Sequence, residues 1–200
     1  RLRELPIWQQ ANVIKCNPDL PQTAIRLNAL EDGKRLYMAV PKLRRKKCFV
    51  ELTAAALAEK DIPLKKAATM RSALIYGKLV SFEEMEPIDL VVVGCVAASP
   101  NGGRTGKGAG FADLELAMLA EHNLMQPHTA IVTTVHDVQV VENEALPLER
   151  HDWPLDWVVT PETAIETKTS YSRPMGLEWE TIQPDQIKTI PILKQLQSPT

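Results

Sequence analysis

The sequence predicts an α/β fold in which a central sheet lies between two layers of helices, a three-layer Rossmann-like sandwich. Short β-rich runs alternate with helical patterns over most of the 200 residues, which is typical of strand–helix–strand units. The run IDLVVVGCVAAS at 88–99 is apolar almost throughout, as expected for a strand buried on both faces of a parallel sheet. The length and the 44% hydrophobic content suit one large globular domain.

The first half of the chain contains three predicted strands and three predicted helices. In the first helix Ala24, Leu27 and Leu30 recur at helical spacing, and Gly33 suits its C-terminal end. Thr53 is a good N-cap for the second helix. Strands are predicted at 11–17, 35–41 and 48–52, and helices at 20–33, 54–60 and 64–74.

The second half continues the alternation and ends in a proline-rich tail. The buried strand 88–99 leads through a glycine loop into a helix at 111–124, and further strands are predicted at 129–136 and 155–161. The tail at 171–200 contains four prolines. We expect it to be a strap over the surface of one α/β domain that spans 1–170.

Composition and charge exclude several function classes. The formal net charge is −2 and the isoelectric point is about 6.1, so no overall positive field attracts nucleic acid or an anionic membrane. The basic run KLRRKK at 42–47 is either a solvated loop or a patch that contacts phosphate. No apolar stretch approaches the length of a membrane span, and no signal-peptide pattern opens the sequence. Because the sequence begins at Arg1 rather than Met, we expect further residues before it.

The cysteine pattern indicates a reducing compartment. Cys16, Cys48 and Cys95 are odd in number and far apart, and the last two lie in apolar, strand-like contexts. This pattern is typical of buried thiols rather than of disulfides or metal ligands. We therefore expect a cytoplasmic protein.

A glycine-rich loop, GGRTGKGAGFADLE at 102–115, follows the buried strand and leads into a helix. Closely spaced glycines let several backbone N–H groups point into one concavity, and the helix N-terminus adds partial positive charge. Arg104 and Lys107 can supply full charges to the same anion, and Asp113 can hold a Mg²⁺ that bridges phosphate oxygens. The loop matches neither the Walker A pattern nor G-x-G-x-x-G, so a phosphate cradle and an ordinary structural turn both remain open.

Two motifs in the second half of the chain resemble those of a known family. Five residues of the loop fall on the fixed positions of an R-x-G-x-G-x-G-Y-Y-D motif: Arg104, Gly106, Gly108, Gly110 and Asp113. Downstream, HDWPLDWVVT at 151–160 resembles a histidine-aspartate-x-proline-leucine-aspartate motif and a strand that ends in threonine. Their order and spacing are similar to those of the 5-formyltetrahydrofolate cyclo-ligase family, also called methenyltetrahydrofolate synthetase.

The resemblance extends beyond these two motifs. LEDGKRLYMAVP at 30–41 resembles the family's glycine-lysine, strand, proline segment, and the similarity runs from Trp8 to Glu166. It implies a fold of the sugar-phosphate isomerase and CoA-transferase type. It also implies an ATP-dependent reaction that closes 5-formyltetrahydrofolate to 5,10-methenyltetrahydrofolate. A phosphoryl group passes from ATP to the formyl oxygen, N10 attacks the activated carbon, and phosphate leaves.

The resemblance also implies roles for individual residues. Protein groups in such a reaction mostly clamp the triphosphate and neutralise charge on the transferring group. Arg104 and Lys107 would be catalytic, Asp113 would support Mg²⁺, and Asp152 and Trp153 would bind the reduced folate. The implied nucleotide-binding residues are Gly103, Arg104, Thr105, Gly106, Lys107, Gly108, Ala109, Gly110, Phe111 and Asp113. From the residues alone, Trp153 and Trp157 are more typical of core or rim aromatic residues than of a stack on a pterin ring.

The chain departs from the family pattern in three places. Phe111 and Ala112 replace paired tyrosines, and NPDLPQ at 17–22 replaces an early glutamate-x-x-threonine near the folate site. The family's N-terminal basic residues are not recognisable in RLRELPIW at 1–8. The sequence is closer to a divergent branch that includes the methenyltetrahydrofolate synthetase domain-containing proteins.

Two functions from different classes follow. One is a Mg-ATP-dependent folate cyclo-ligase, or a close relative that acts on another small substrate. The other is a module that keeps the nucleotide pocket without catalysis and has a regulatory or RNA-associated role. A sugar-phosphate isomerase or acyl-CoA transferase activity is a weaker third hypothesis, because neither motif leads to it.

Overall fold

The computed structural model describes residues 1–197, which form an eight-stranded mixed sheet and a separate two-stranded hairpin. The sheet strands are β1 (Val13–Cys16), β2 (Arg35–Ala39), β3 (Phe49–Leu52), β4 (Lys78–Val80), β5 (Ile88–Val93), β8 (Met125–Thr134), β9 (Trp157–Val159) and β10 (Ala164–Glu166). The hairpin consists of β6 (Ala97–Ala98) and β7 (Arg104–Thr105). Across the sheet the order is β10-β9-β8-β5-β1-β2-β3-β4.

Helices cover both faces of this sheet. They are α1 (Pro6–Gln10), α2 (Thr23–Glu31), α3 (Ala54–Ala58), α4 (Leu64–Ala67), α5 (Met70–Tyr76), α6 (Phe111–Glu121), α7 (Pro184–Thr189) and α8 (Pro191–Gln197). Helices α1 to α5 contribute to one hydrophobic core, and α6 to α8 contribute to the other. Alternate residues of β2 enter different cores, with Leu36 and Met38 in the first and Tyr37 and Ala39 in the second. This arrangement confirms the α/β fold class.

The sheet is parallel at its centre and antiparallel at its edges. β9, β8, β5, β1 and β2 pair in parallel, whereas β3, β4 and β10 pair antiparallel to their neighbours. The buried strand β5 lies in the parallel centre, as its continuous apolar run predicts. The carboxyl ends of five strands therefore meet at one edge of the sheet.

Two predicted helix boundaries are confirmed. Thr53 caps α3, because its hydroxyl accepts a hydrogen bond from the backbone N–H of Ala56 at 3.3 Å. Gly33 follows α2 at a φ of +69°, a conformation that favours glycine. Next to it, the N–H of Lys34 donates back to the carbonyl of Ala29 at 2.9 Å.

The prediction of one strand over 88–99 is wrong beyond Val93. The chain leaves the sheet at Gly94 and then forms β6, which pairs with β7. Gly94 lies against the segment that follows β1, since an added Cβ would be 3.0 Å from Asp19 Oδ2. An apolar run alone does not reveal this change of direction, because β6 is also partly buried.

Several short elements were not predicted. Helix α1 has five residues and strands β4 and β10 have three each, too few for a periodic pattern to emerge. The tail contains α7 and α8, and it places Ile190 and Leu193 fully in the core. The last part of the predicted strap, 198–200, lies outside the described residues. Within the described part of the chain, no helix has the length and apolarity needed to cross a membrane.

Candidate functional site

The candidate site lies at the edge of the sheet where the parallel strands end. The strand order reverses between β1 and β5. β2, which follows β1 in sequence, lies on one side of β1, and β5, β8 and β9 lie on the other side. The helix after β1 covers one face of the sheet, and the helix after β5 covers the opposite face. Such a reversal opens a crevice at the carboxyl ends of the two strands, where open α/β sheets bind ligands.

The glycine loop has a buried first part, which we call the stem and define as Gly102, Gly103 and Arg104. Gly102 has a φ of +97°, and an added Cβ would lie 2.6 Å from the carbonyl oxygen of Leu155. A Cβ on Gly103 would lie 2.5 Å from Ser99 Oγ. Both glycines are therefore required by the protein's own packing.

Arg104 joins the two sequence motifs. Its guanidinium pairs with the carboxylate of Asp113, and its Nε donates to the carbonyl oxygen of Trp153 at 3.1 Å. The same Asp113 oxygen accepts the backbone N–H of Trp153 at 3.0 Å. A further bond runs from the N–H of Leu155 to the carbonyl of Gly102 at 2.9 Å. The stem of the loop and the 151–156 segment thus form one hydrogen-bonded unit.

Burial dominates the electrostatics of this unit. The Arg104 side chain is 3% exposed and the Asp113 side chain 16%. Burial raises the pKa of Asp113, and the Arg104 charge and the Trp153 N–H act against that rise. The Arg104 charge therefore partly offsets the cost that burial imposes on the ionised Asp113 carboxylate.

The rest of the loop, Thr105–Gly110, is exposed, and we call it the tip. Around Gly106 and Gly108, no atom of the described residues lies within 4 Å of the position that a Cβ would take. Lys107 is 82% exposed, and its ammonium lies 3.7 Å from Asp19 Oδ1 in the segment after β1. Immediately after the tip, α6 begins with its free N–H groups. The tip thus presents exposed backbone and the exposed ammonium of Lys107 beside a helix N-terminus.

Comparison with known proteins identifies the family. The model of the 5-formyltetrahydrofolate cyclo-ligase family matches residues 1–161. The chain belongs to this family. It is also similar to proteins named methenyltetrahydrofolate synthase domain-containing protein, with 36% identity to the one from Homo sapiens, 40% to that from Bos taurus and 35% to that from Danio rerio.

These alignments cover 98%, 96% and 99% of the chain, but only 51%, 50% and 51% of the relatives. The chain therefore spans about half the length of the curated relatives it matches. The resemblance that the two motifs carried is confirmed, including its link to the domain-containing branch.

The cyclo-ligase motif residues divide among the stem, the tip and the first turn of α6. Arg104 and Asp113, predicted to contact phosphate and Mg²⁺, are each other's partners in the structure. Among residues 1–197, no group of three or more His, Cys, Asp or Glu side chains is arranged to hold a metal ion. A Mg²⁺ ion that is held mainly by phosphate oxygens needs only one or two carboxylates. Asp113 could serve as such a single carboxylate ligand, but it could not hold the ion without the phosphates. Both roles stay predictions.

Asp152 and Trp153, the predicted substrate residues, lie beside this pair. Asp152 Oδ2 accepts the backbone N–H of Glu149 at 2.8 Å and so closes a turn. Trp153 is 3% exposed and belongs to the core, and its indole N–H has no partner among the described residues. Both side chains therefore contact other parts of the protein itself, and a substrate role stays a prediction.

The basic run at 42–47, which we call the basic loop, is exposed at Arg44. Its Lys47 pairs with Glu84 at 2.7 Å.

Phe111 and Ala112, which replace the family's tyrosines, are half-buried against the core at the start of α6. They supply no hydroxyl to the glycine loop. The tail contacts the same loop, because Gln186 Nε2 donates to the carbonyl oxygen of Ala109 at 3.0 Å. A cavity of about 180 Å³ lies between the tip, the first turn of α6 and the tail.

Sequence reasoning missed a buried polar network behind the crevice. The Lys15 ammonium, fully buried on β1, pairs with Glu115 of α6 and donates to Asn17 Oδ1 at 3.0 Å. Gln22, 1% exposed, accepts the N–H of Asn17 at 3.0 Å. A lysine in the otherwise apolar run ANVIKC was the available signal, because a buried charge requires a partner.

Proposed function

We propose that the chain is a Mg-ATP-dependent ligase domain that closes 5-formyltetrahydrofolate to 5,10-methenyltetrahydrofolate, or catalyses a closely related ATP-dependent reaction. Membership of the cyclo-ligase family supports the reaction class. The relatives' names support a folate connection for those proteins. We further propose a fold of the sugar-phosphate isomerase and CoA-transferase type. The three free thiols fit a cytoplasmic location.

The observation that carries the proposal is the open tip of the loop. Gly106 has neither a positive φ nor any described atom within 4 Å of its missing Cβ. Nothing among the described residues therefore requires glycine there. Close approach of the backbone to a ligand is the other physical reason for glycine, and phosphate oxygens are the ligands that such N–H groups bind.

The division of the loop suggests how its residues act. The tip amides and Lys107 would hold the phosphates of ATP, with the N-terminus of α6 behind them. Arg104 and Asp113 would fix the stem, and the second carboxylate oxygen of Asp113 would be available to Mg²⁺. Mg²⁺ held there would supply positive charge beside the phosphates during phosphoryl transfer.

A second candidate is a nucleotide-binding domain without catalysis, with a regulatory or RNA-associated role. The loss of two hydroxyls at Phe111 and Ala112 favours it, and so does the altered segment at 17–22. Because the tip does not depend on these residues, nucleotide binding would survive where folate chemistry is lost. The net charge of −2 gives no support to direct nucleic-acid binding by these residues.

A turnover assay separates the two candidates. The protein is mixed with Mg-ATP and 5-formyltetrahydrofolate, and the absorbance of 5,10-methenyltetrahydrofolate is followed. Product formation supports the ligase. No product at high enzyme concentration, with ATP binding still measurable by calorimetry, would reject the ligase and leave the binding module.

A matched pair of lysine variants tests the tip directly. A charged hydrogen bond contributes roughly 1.5–3 kcal/mol, so Lys107→Met should weaken ATP binding about tenfold or more and lower its salt dependence. Lys46→Met, which removes an exposed lysine of the basic loop, should leave the affinity within about twofold. Equal affinities in the two variants would place the phosphates elsewhere.

A further inference from the structure

A hydrogen bond joins the tail to the tip of the glycine loop. Gln186, half-buried in α7, donates from Nε2 to the carbonyl oxygen of Ala109 at 3.0 Å. The other end of its carboxamide is also held, because Oε1 accepts the backbone N–H of Gln183 at 2.8 Å. The two bonds fix the orientation of the side chain, so its donor faces the tip.

The tail that carries Gln186 is anchored on both sides of this contact. Before α7, the backbone N–H of Leu177 donates to Glu121 Oε1, at the end of α6, at 3.0 Å. After α7, Ile190 and Leu193 are fully buried in the core. Gln186 therefore presents its donor from a fixed support, and it can hold the exposed tip rather than follow it.

The bond from Gln186 is the only one that holds the Ala109 carbonyl among residues 1–197. The next carbonyl, that of Gly110, is held differently, since it accepts the N–H of Leu114 at 3.1 Å in the first turn of α6. Gly110 has a φ of +65°, and glycine adopts positive and negative φ about equally well. The peptide between Ala109 and Gly110 could therefore turn over at little cost if Gln186 released it.

The orientation of this peptide decides which group it offers to an anion. The peptide is trans, so its carbonyl and its N–H point in opposite directions. Because the carbonyl points to Gln186, the N–H of Gly110 points away from the tail, and it has no hydrogen-bond partner among the described residues. A reversed peptide would present a carbonyl oxygen there, and anions are bound by N–H groups and repelled by carbonyl oxygens.

We propose that Gln186 is a positioning residue for the glycine loop, which holds the 109–110 peptide so that the N–H of Gly110 can bind a phosphate of ATP. This role rests on the proposed function, since it concerns the same anion site. Gln186 acts through the peptide and does not itself touch the nucleotide. It lies beyond residues 1–161, the part matched by the family model, so the family's motifs do not include it.

NMR of backbone amides tests this role without turnover. In the unaltered chain, Mg-ATP should shift the signals of Gly106 and Gly110, because both lie in the tip. In Gln186→Met we expect the Gly106 shift to remain and the Gly110 shift to be lost. ATP affinity, measured by calorimetry, should fall about tenfold, the loss expected for one hydrogen bond to a charged group. The signals of Ile190 and Leu193 should not move, which would show that the tail stays in place.

Two further variants separate the donor from the rest of the tail. Gln186→Glu keeps an acceptor for the Gln183 N–H and loses the donor, so it provides a second test if the methionine variant loosens the tail. Its added charge would weaken every phosphate contact in the tip, and the expected result is therefore a loss at Gly110 that exceeds the loss at Gly106. Gln195→Met, which removes an exposed glutamine of α8, should change neither signal.

The outcomes separate this role from the proposed function. A retained Gly110 shift and unchanged ATP affinity in Gln186→Met would overturn the positioning role and leave the ligase. A loss at Gly110 that depends on Gln186, without turnover of 5-formyltetrahydrofolate, would reject the ligase and support the positioning role. A Gly106 shift without a Gly110 shift in the unaltered chain would overturn the role, and no ATP binding by that chain would reject both.

Discussion

The stem and the tip of the glycine loop are neighbours in sequence but use glycine for different reasons. At Gly102 a side chain would collide with Leu155 and would require a strained φ. At Gly106, three residues beyond Gly103, a side chain would meet nothing described within 4 Å. Both stem glycines are required by the protein's own packing. In the tip, Gly108 and Gly110 have φ of +82° and +65°, which also favour glycine, whereas Gly106 has neither a positive φ nor a close contact among the described residues.

This difference assigns different consequences to mutations in one short motif. Changes in the stem should be measured first as a loss of folding stability, because Arg104, Asp113 and the 151–156 segment form one unit. Changes at Gly106 or Lys107 in the tip should leave stability almost unchanged and alter ligand binding. A motif match treats both halves as one site, and only the contacts separate them.

The largest effect is expected for Arg104→Met. It leaves the buried Asp113 carboxylate without its cation, and breaking such a pair costs roughly 3–5 kcal/mol. Urea denaturation should show a fall of about 3 kcal/mol in the free energy of unfolding. Arg3→Met is the control, because Arg3 pairs at the surface with Asp32 and Glu31 and its own side chain is 41% exposed. Such surface pairs contribute about 1 kcal/mol or less each. Similar losses in the two variants would mean that the stem pair is not structural.

Gly102→Ala comes next. A non-glycine residue at a strained φ costs of order 1–3 kcal/mol, and the new Cβ also approaches the Leu155 carbonyl oxygen. We expect a loss of about 2 kcal/mol by the same measurement. An unchanged denaturation midpoint would show that the stem can relax and that its burial does not constrain Gly102.

Gly106→Ala is the counterpart in the tip. Exposed substitutions away from special features usually change stability by less than about 0.5 kcal/mol, and we expect no more here. ATP affinity, measured by calorimetry, should fall about tenfold if phosphate oxygens approach the backbone at this point. A variant with unaltered affinity would leave the glycine at 106 unexplained and would remove the main support for the phosphate site.

The sequence predicted the fold class, the position of the loop and the family, because these depend on periodic patterns and on residues at fixed spacing. It could not separate Arg104 from Lys107, since both are cations beside glycines. Whether a cation is buried depends on the 151–156 segment, which is distant in sequence and reaches Arg104 only through tertiary contacts. Gln186 escaped notice for the same reason, because its contact with Ala109 exists only in the folded chain. The close approach of Gly94, at the end of β5, to Asp19 in the segment after β1 is likewise a tertiary contact.

The smallest expected effect is a difference between two Arg–Asp pairs in their titration. Burial raises the pKa of Asp113, whereas the hydrogen bond from Arg3 lowers the pKa of Asp32 at the surface. Carboxyl ¹³C NMR should therefore place Asp113 above the ordinary value of about 3.9 and Asp32 below it. Since the folded state binds the Asp113 proton more tightly, the associated stability is full below the ordinary value and falls as pH rises through the folded pKa. Arg104→Met should raise the Asp113 midpoint further, because the opposing charge is lost. An Asp113 midpoint below that of Asp32 would show that the ion pair outweighs burial and that the stem is more open to water than its contacts indicate.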